Sequence, residues 1–252
     1  MKTNKYTAAF LALIAAAAIT TSANAATGDI ILGIYDTSGT VPTSYEVDLG
    51  TFANLSVNET FDLGSSIETL FGSSAPAQLT FSIAGTGHLG GGGLSTKQVA
   101  FSTSVGATLP SFTGNNTTPD TALTGELSTF GGGTATTLFS GTSSTGKAYT
   151  AKTVDNTTTG SFKNAVSSGN GSYGFVGNSL LSPYTTDSVN FYTLANGSTT
   201  PTQVGTFQFS GLGSDHVTLT YSPTAAPEPS AYALGLCAVA LFVVLRRRSL
   251  VA

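Results

Sequence analysis

The chain has 252 residues, of which only 9% are charged, and it contains 30 glycines, one cysteine and no tryptophan. This charged share is far below the roughly one quarter that is usual in globular proteins, so the composition is unlike that of a cytosolic enzyme. Residues 26–226 carry four lysines and twelve carboxylates, a net charge of −8, which disfavours nucleic acid and polyanionic polysaccharides because both require clustered Lys and Arg.

The N-terminal residues 1–25 have the features of a secretory signal peptide. Two lysines precede an uncharged apolar stretch, residues 8–19, and Ala23 and Ala25 supply the small residues that a signal peptidase requires. We therefore predict cleavage between Ala25 and Ala26. An N-terminal membrane anchor is the alternative, but about twelve helical residues extend about 18 Å, whereas the hydrocarbon core of a bilayer is about 30 Å thick.

Alternating side chains predict β-strands throughout the middle of the chain. Tyr45, Val47 and Leu49 face one side of a strand and Glu46 and Asp48 face the other, as in a half-buried strand. Other segments share this period or a high β-propensity, and they predict strands at residues 29–35, 79–83, 99–102, 136–140, 148–154, 172–176, 189–194, 202–210 and 217–221.

Segments rich in Gly, Ser and Asn separate these strands and predict turns and long loops. Two short helices are predicted, at residues 65–71, where Ser65 and Glu68 have the spacing of a capping box, and at residues 161–166. We therefore predict an all-β fold, a single antiparallel β-sandwich or jelly-roll-like domain over residues 26–222 with long Gly/Ser/Thr loops. The body has no cysteine, so its stability must come from burial.

Three segments follow the body in a fixed order. They are a linker at residues 223–230 that contains Pro227, Glu228 and Pro229, an apolar segment at residues 231–245, and a basic tail at residues 246–252 that begins with Arg246, Arg247 and Arg248. The prolines end any preceding strand because they lack a backbone donor. The apolar segment predicts a transmembrane helix about 22 Å long, which spans a bilayer with local thinning. The arginines are predicted to stay in the cytoplasm, which places the body outside.

These three segments resemble the PEP-CTERM sorting signal of Gram-negative bacteria, and all three lie within the last 26 residues. The resemblance implies that an exosortase recognises Pro227, Glu228 and Pro229, cleaves near them, and releases or transfers the body at the cell surface. It also implies a link to exopolysaccharide and biofilm formation. The body resembles uncharacterised PEP-CTERM proteins in segments such as residues 28–33 and 45–50. This second resemblance implies no biochemical activity. The alternative is an ordinary tail anchor with a fortuitous Pro-Glu-Pro.

Candidate catalytic and metal-binding residues are few. The chain has two histidines, His88 and His216, and the body has no cysteine, which disfavours structural zinc and a catalytic triad. The glycine run at residues 90–93 lacks the Gly-Lys-Ser/Thr order of a phosphate-binding loop, and it predicts a hairpin connection. A calcium site stays an alternative, since loop carboxylates are sufficient to bind Ca²⁺, although no Asp-x-Asp-x-Asp-Gly loop is present. We predict no catalytic residue, no metal site and no cofactor.

Two features bear on carbohydrate chemistry. Glu46 and Asp48 have a spacing compatible with the carboxylate pair of a glycosidase, but on the outer face of a sheet they are predicted to be exposed and solubilising. Aromatic platforms are the other feature, and the candidates are Tyr35, Tyr45, Tyr173, Tyr184 and Tyr192, most of which are predicted to be packing residues.

The sequence thus predicts a noncatalytic exported cell-surface or extracellular-matrix protein. Its predicted partners are signal peptidase, exosortase, the membrane before processing, and an extracellular polysaccharide. A carbohydrate-binding or self-associating adhesion module is the second hypothesis, and a secreted glycan-active enzyme is the third. Aromatic side chains aligned on an exposed sheet face would favour the second, and a cleft with two facing carboxylates would favour the third.

Overall fold

The computed structural model of the protein describes residues 28–36, 42–71, 79–109, 111–131, 135–155, 162, 178–179, 188–211 and 216–224. Within these residues the chain forms eleven strands, two α-helices and one 3-10 turn at Phe52–Asn54. The strands are β1 (Asp29–Asp36), β2 (Thr43–Thr51), β3 (Glu59–Gly64), β4 (Leu79–Thr86), β5 (Val99–Ser104), β6 (Thr136–Thr142), β7 (Ala148–Asp155), β8 (Asn178–Ser179), β9 (Ser188–Leu194), β10 (Thr202–Ser210) and β11 (Val217–Pro223). The helices are α1 (Ser66–Phe71) and α2 (Thr117–Gly131).

The strands form one antiparallel sheet in the order β3-β11-β10-β9-β5-β4-β1-β2-β7-β6, with β8 paired to β4. The sheet curls until β3 approaches the β6–β7 hairpin. There the Ser144 amide donates to the Thr60 carbonyl at 2.9 Å, and the Thr60 amide donates to Ser144 Oγ at 2.9 Å. The Tyr149 hydroxyl donates to the Asp62 carbonyl close by. The result is a nearly closed, barrel-like sheet whose seam is held mainly by contacts outside the strand ladder.

The inside of the sheet is a packed apolar core. Tyr45, Val47 and Leu49 are buried there, as their alternation predicts. Aromatic rings from opposite parts of the sheet meet edge to face, with ring centroids 4.8 Å apart for Phe81 and Phe209. These rings fill the inside of the sheet at the close packing typical of protein interiors, and their burial stabilises the fold.

A second, smaller core lies on the outer face of the sheet, beneath helix α2. Leu123 and Leu127 of the helix are buried there against Ile31 of β1 and Phe101 of β5, together with Phe162. Strand β1 is therefore covered on both faces, which explains why all eight of its residues are buried.

The structure confirms the antiparallel all-β prediction and most of the predicted strands, and α1 confirms the helix predicted at residues 65–71. It differs in having one curled sheet instead of the two facing sheets of a sandwich, because the strands pair from end to end without a break. Strands β3 and β8 and helix α2 were not predicted. The predicted strand at residues 172–176 lies outside the described residues, as does the predicted helix at 161–166 except for Phe162.

The predicted signal peptide, residues 1–25, and the segments from residue 225 onward also lie outside the described residues. In the part of the chain that the structure describes, no helix is long and apolar enough to cross a membrane.

Candidate functional site

Five charged side chains meet between helix α2 and the outer face of the sheet. They are Asp29 of β1, Glu46 and Asp48 of β2, Lys152 of β7 and Glu126 of α2, called here the α2 acidic cluster. The strand register brings the sheet residues together, because Glu46 is paired with Lys152. All five are buried, and Glu46 and Glu126 are only 0% and 1% exposed. Charged residues are almost never buried to this extent without partners, so the cluster is the most unusual feature of the described residues.

The sequence interpretation of Glu46 and Asp48 is therefore wrong in one respect. Both lie on the outer face of β2, as predicted, but they are buried rather than exposed and solubilising. The reason is helix α2, which covers this face and adds Glu126 to the pair. An elongated glycan has no access to carboxylates covered in this way, and this geometry argues against a glycosidase role for Glu46 and Asp48.

Only some of the cluster's polar atoms have partners. Glu46 Oε1 accepts a 3.2 Å hydrogen bond from the Phe162 amide, and Asp48 Oδ1 accepts a 2.8 Å bond from the Gly50 amide. Among the described residues, Glu46 Oε2 and Glu126 Oε1 have no hydrogen-bond partner. A buried acceptor without a donor costs free energy, typically about 1–3 kcal/mol.

Burial dominates the electrostatics of the cluster. It raises the pKa of Glu46 to about 8, although the Phe162 amide, Glu126 and Lys152 act in the opposite direction. It raises the pKa of Asp48 to about 7, assisted by repulsion from Asp29. Burial, together with repulsion from Glu46, holds the pKa of Glu126 well above its usual range. The cluster therefore retains protons at pH values at which exposed carboxyl groups are ionised.

The cluster is not arranged as a metal centre. Within the described residues, no group of three or more His, Cys, Asp or Glu side chains is placed to hold a metal ion. Four carboxyl groups face a single ammonium, Lys152, whose pKa is lowered by burial. Protonation is thus the means by which these residues themselves reduce the negative charge of the site.

A second polar group lies at the N-terminal part of α2. Asp120, which is buried, accepts a 2.7 Å hydrogen bond from the Thr86 hydroxyl, and its other oxygen lies 2.9 Å from His88 Nδ1. The His88 ring is partly exposed and is oriented by Asp120. No side-chain contact that the structure shows brings a nucleophile to the outer ring nitrogen, so this pair fastens α2 to the end of β4.

The glycine run at residues 90–93 lies in the connection between β4 and β5, which confirms the predicted hairpin connection. A Cβ atom at Gly92, which has φ +57°, would come within 2.8 Å of the backbone of Gly28, so glycine permits a close approach of two backbones. His216, the other histidine, is exposed and directly precedes β11.

Three of the five candidate aromatic platforms lie within the described residues, and all three are buried or partly buried. Tyr35 and Tyr45 are buried, which confirms the packing role predicted for them. Tyr192 is partly buried and stacks on Phe101 with ring centroids 5.8 Å apart. Tyr173 and Tyr184 lie outside the described residues.

The sorting and processing residues also stay predictions. Ala23, Ala25, Ala26, Pro227, Glu228, Pro229, Arg246, Arg247 and Arg248 all lie outside the described residues.

Sequence reasoning missed helix α2 and, with it, Glu126 and Asp120. A signal for the helix is present, because Pro119 and Asp120 suit a first turn, and Leu123, Leu127 and Phe130 recur at the spacing of one helix face. The Thr, Ser and Gly residues between them have low helix propensity and obscure that signal.

The chain matches no protein-family model, no curated protein and no solved structure. The interpretation of the site therefore depends on its geometry.

Proposed function

We propose that the protein is a noncatalytic exported protein of the cell surface or extracellular matrix, processed by an exosortase and associated with exopolysaccharide. The observation that carries this proposal is the order of Pro227-Glu228-Pro229, the apolar residues 231–245 and Arg246-Arg247-Arg248. The proposal includes a signal peptide at residues 1–25 and a transmembrane helix at residues 231–245.

The end of the body is consistent with this proposal. Strand β11 ends at Pro223, only a few residues before Pro227. All the described strands thus end before the Pro-Glu-Pro motif begins, and cleavage near the motif would leave each of them intact. A folded body followed directly by a linker suits a protease that acts on exposed chain.

The noncatalytic part of the proposal is supported by the two cores. Aromatic and aliphatic side chains fill the inside of the sheet, and helix α2 covers the carboxylate pair that glycan hydrolysis would require. The adhesion hypothesis gains no specific observation, since Tyr35 and Tyr45 are buried and do not offer flat surfaces to a sugar.

The decisive experiment replaces Pro227, Glu228 and Pro229 together with alanine in the native host. We expect an unprocessed, membrane-retained species, measured by fractionation and intact mass. The matched control is Ser230→Ala, which changes the same linker outside the motif and should mature normally. Normal maturation of the triple variant would exclude the exosortase interpretation.

The N-terminal half of the proposal has its own test. Mass analysis of the mature protein should find Ala26 as its first residue, and a mature chain that still begins at Met1 would exclude the signal peptide. Pull-down of the mature protein with the host's extracellular polysaccharide then tests the association with exopolysaccharide.

A further inference from the structure

Two buried carboxyl groups from separate elements face each other in the α2 acidic cluster. Glu46 extends from β2 and Glu126 from α2, and their carboxyl groups lie within hydrogen-bonding reach. Each has one oxygen, Glu46 Oε2 and Glu126 Oε1, that receives no hydrogen bond from the described residues. An ionised carboxylate only accepts hydrogen bonds, so two facing carboxylates cannot satisfy each other.

We propose that Glu46 and Glu126 share a proton that fastens helix α2 to the sheet, and that loss of this proton releases α2. A proton on either residue turns its carboxyl group into a donor, and the facing carboxylate becomes its acceptor. The shared proton replaces a repulsion between two buried charges by a charge-assisted hydrogen bond. Helix α2 is then a pH-sensitive cover over the outer core.

The other groups that face the pair do not supply this attraction. Asp29 from β1 and Asp48 from β2 add negative charge and raise the pKa of Glu126 further. Lys152 from β7 is the single cation of the cluster, and its Nζ donates to the Phe130 carbonyl at 2.8 Å. The Phe162 amide donates to Glu46 Oε1 alone. With one ammonium against four carboxyl groups, ionisation of the pair leaves buried charge without compensation.

The remaining contacts of α2 determine which part of the helix leaves the sheet first when the shared proton is lost. Its apolar contribution comes from Leu123 and Leu127, which lie in the small outer core. At its N-terminal part, Asp120 binds Thr86 and His88. Lys97 Nζ also donates to the Thr117 hydroxyl at the start of α2. None of these contacts involves Glu126, so we expect the part of α2 around Glu126 to leave the sheet before the part around Asp120.

Amide hydrogen exchange of the full chain over a range from about pH 6 to about pH 10 tests the proposal. After correction for intrinsic exchange, protection of α2 relative to β10 should fall roughly tenfold or more as the pH rises. In Glu126→Gln, the amide supplies the missing donor at every pH, so the relative protection of α2 should stay constant. The matched control, Asp62→Asn, changes an exposed carboxylate on β3 and should behave like the wild type.

His88→Gln removes the ring that contacts Asp120, and it should leave the loss of α2 protection at high pH unchanged. Should Glu126→Gln fail to fold, infrared spectroscopy of wild-type protein with isotope-labelled glutamate replaces it. A protonated glutamic acid band at about pH 7 that disappears as α2 loses protection supports the proposal. Constant protection of α2 in the wild type, or no such band, would overturn it.

Discussion

Lys152 contacts Phe130 in two ways: its Nζ donates a 2.8 Å hydrogen bond to the Phe130 carbonyl and lies 4.6 Å from the centroid of the Phe130 ring. Helix α2 ends at Gly131, so this carbonyl is among the last four of the helix, which have no intrahelical donor. A cation at this position also interacts favourably with the helix dipole and with the aromatic face. A side chain of β7 thus caps the helix that covers the acidic cluster.

The first prediction follows from this cap. Lys152→Met keeps the apolar stem but removes the ammonium, so we expect the free energy of unfolding at about pH 7 to fall by about 2–4 kcal/mol. The control is Lys97→Met, because Lys97 Nζ donates to the Thr117 hydroxyl at an exposed position. Its effect should be within about 0.5 kcal/mol. Urea unfolding measures the free energy of unfolding of both variants. An equal loss in Lys152→Met and Lys97→Met would contradict the capping role of Lys152.

The second prediction concerns pH and Asp48, whose pKa burial raises from an ordinary value of 3.8 to about 7. The folded state keeps this proton in a range where the unfolded state has lost it, so the free energy of unfolding falls as the pH rises from about 4 to about 7. Glu46, with its pKa raised to about 8, extends the decline upward. Ionisation of these two groups should together lower the free energy of unfolding by on the order of a few kcal/mol across this pH range.

Asp48→Asn isolates the contribution of this residue. The amide oxygen can still accept the hydrogen bond from the Gly50 amide, so the variant loses the titration and keeps the contact. Urea unfolding at several pH values should show a shallower decline between about pH 4 and about pH 7. A curve parallel to that of the wild type would mean that Asp48 is ionised throughout.

The third prediction concerns Glu59 at the seam of the sheet. Its carboxylate accepts hydrogen bonds from the Ser143 and Thr145 hydroxyls, each at 2.7 Å, from the Ser56 amide at 2.8 Å and from Lys147 Nζ at 3.0 Å. Burial raises the pKa of Glu59, but these four donors outweigh it and hold the pKa below its usual range. Glu59 therefore stabilises the fold above its unfolded pKa, and this stabilisation is lost as the pH falls.

Glu59→Gln retains one acceptor oxygen for four donors, so we expect a loss of about 2–3 kcal/mol at about pH 7. The difference from the wild type should narrow toward about pH 3, where Glu59 itself takes up a proton. The control is Asp62→Asn, an exposed change on the same strand. A difference that is independent of pH would show that the charge of Glu59 contributes nothing.

The fourth prediction concerns the contact between Gly33 and Phe162. A Cβ atom at Gly33 would lie 2.1 Å from Phe162 Cδ1, so Gly33→Ala should destabilise the protein by about 1–3 kcal/mol through overpacking. Phe162→Ala should cost about 3–5 kcal/mol, because the ring is fully buried in the outer core. In the double variant the space left by the ring receives the new methyl group, so its cost should be smaller than the sum. Additivity within about 0.5 kcal/mol would refute the contact.

The strands could be predicted from the sequence because their signal is local. The alternation of Tyr45, Val47 and Leu49 with polar residues determines which side chains enter the inner core, whatever lies on the other face. What lies on the other face depends on helix α2, whose Glu126 is 80 positions after Glu46 in the chain. Glu46 looks like any exposed acid in its own strand, and only the position of Glu126 on α2 shows that it is buried.

The closure of the sheet could not be predicted for a related reason. Strand β3 has only six residues, in which the buried Phe61 and Leu63 alternate with Thr60 and Asp62, and it pairs with β11 far along the chain. The pairing of Thr60 with Thr220 joins two strands that are distant in the sequence. Its register is determined by the packing of the whole sheet, and no local turn sequence predicts it. Local patterns therefore indicated the all-β class, whereas strand order and curvature needed the structure.

The position of β11 between β3 and β10 affects how the polypeptide is made. Thr60 meets Thr220, which lies 160 positions later in the chain, so an incomplete nascent chain leaves both strands that flank β11 with open edges. Pairings between such distant segments form slowly because the entropy of loop closure must be overcome first. The sheet of the described residues can close only after β11 has been synthesised, and until then the open edges of β3 and β10 can pair with other chains.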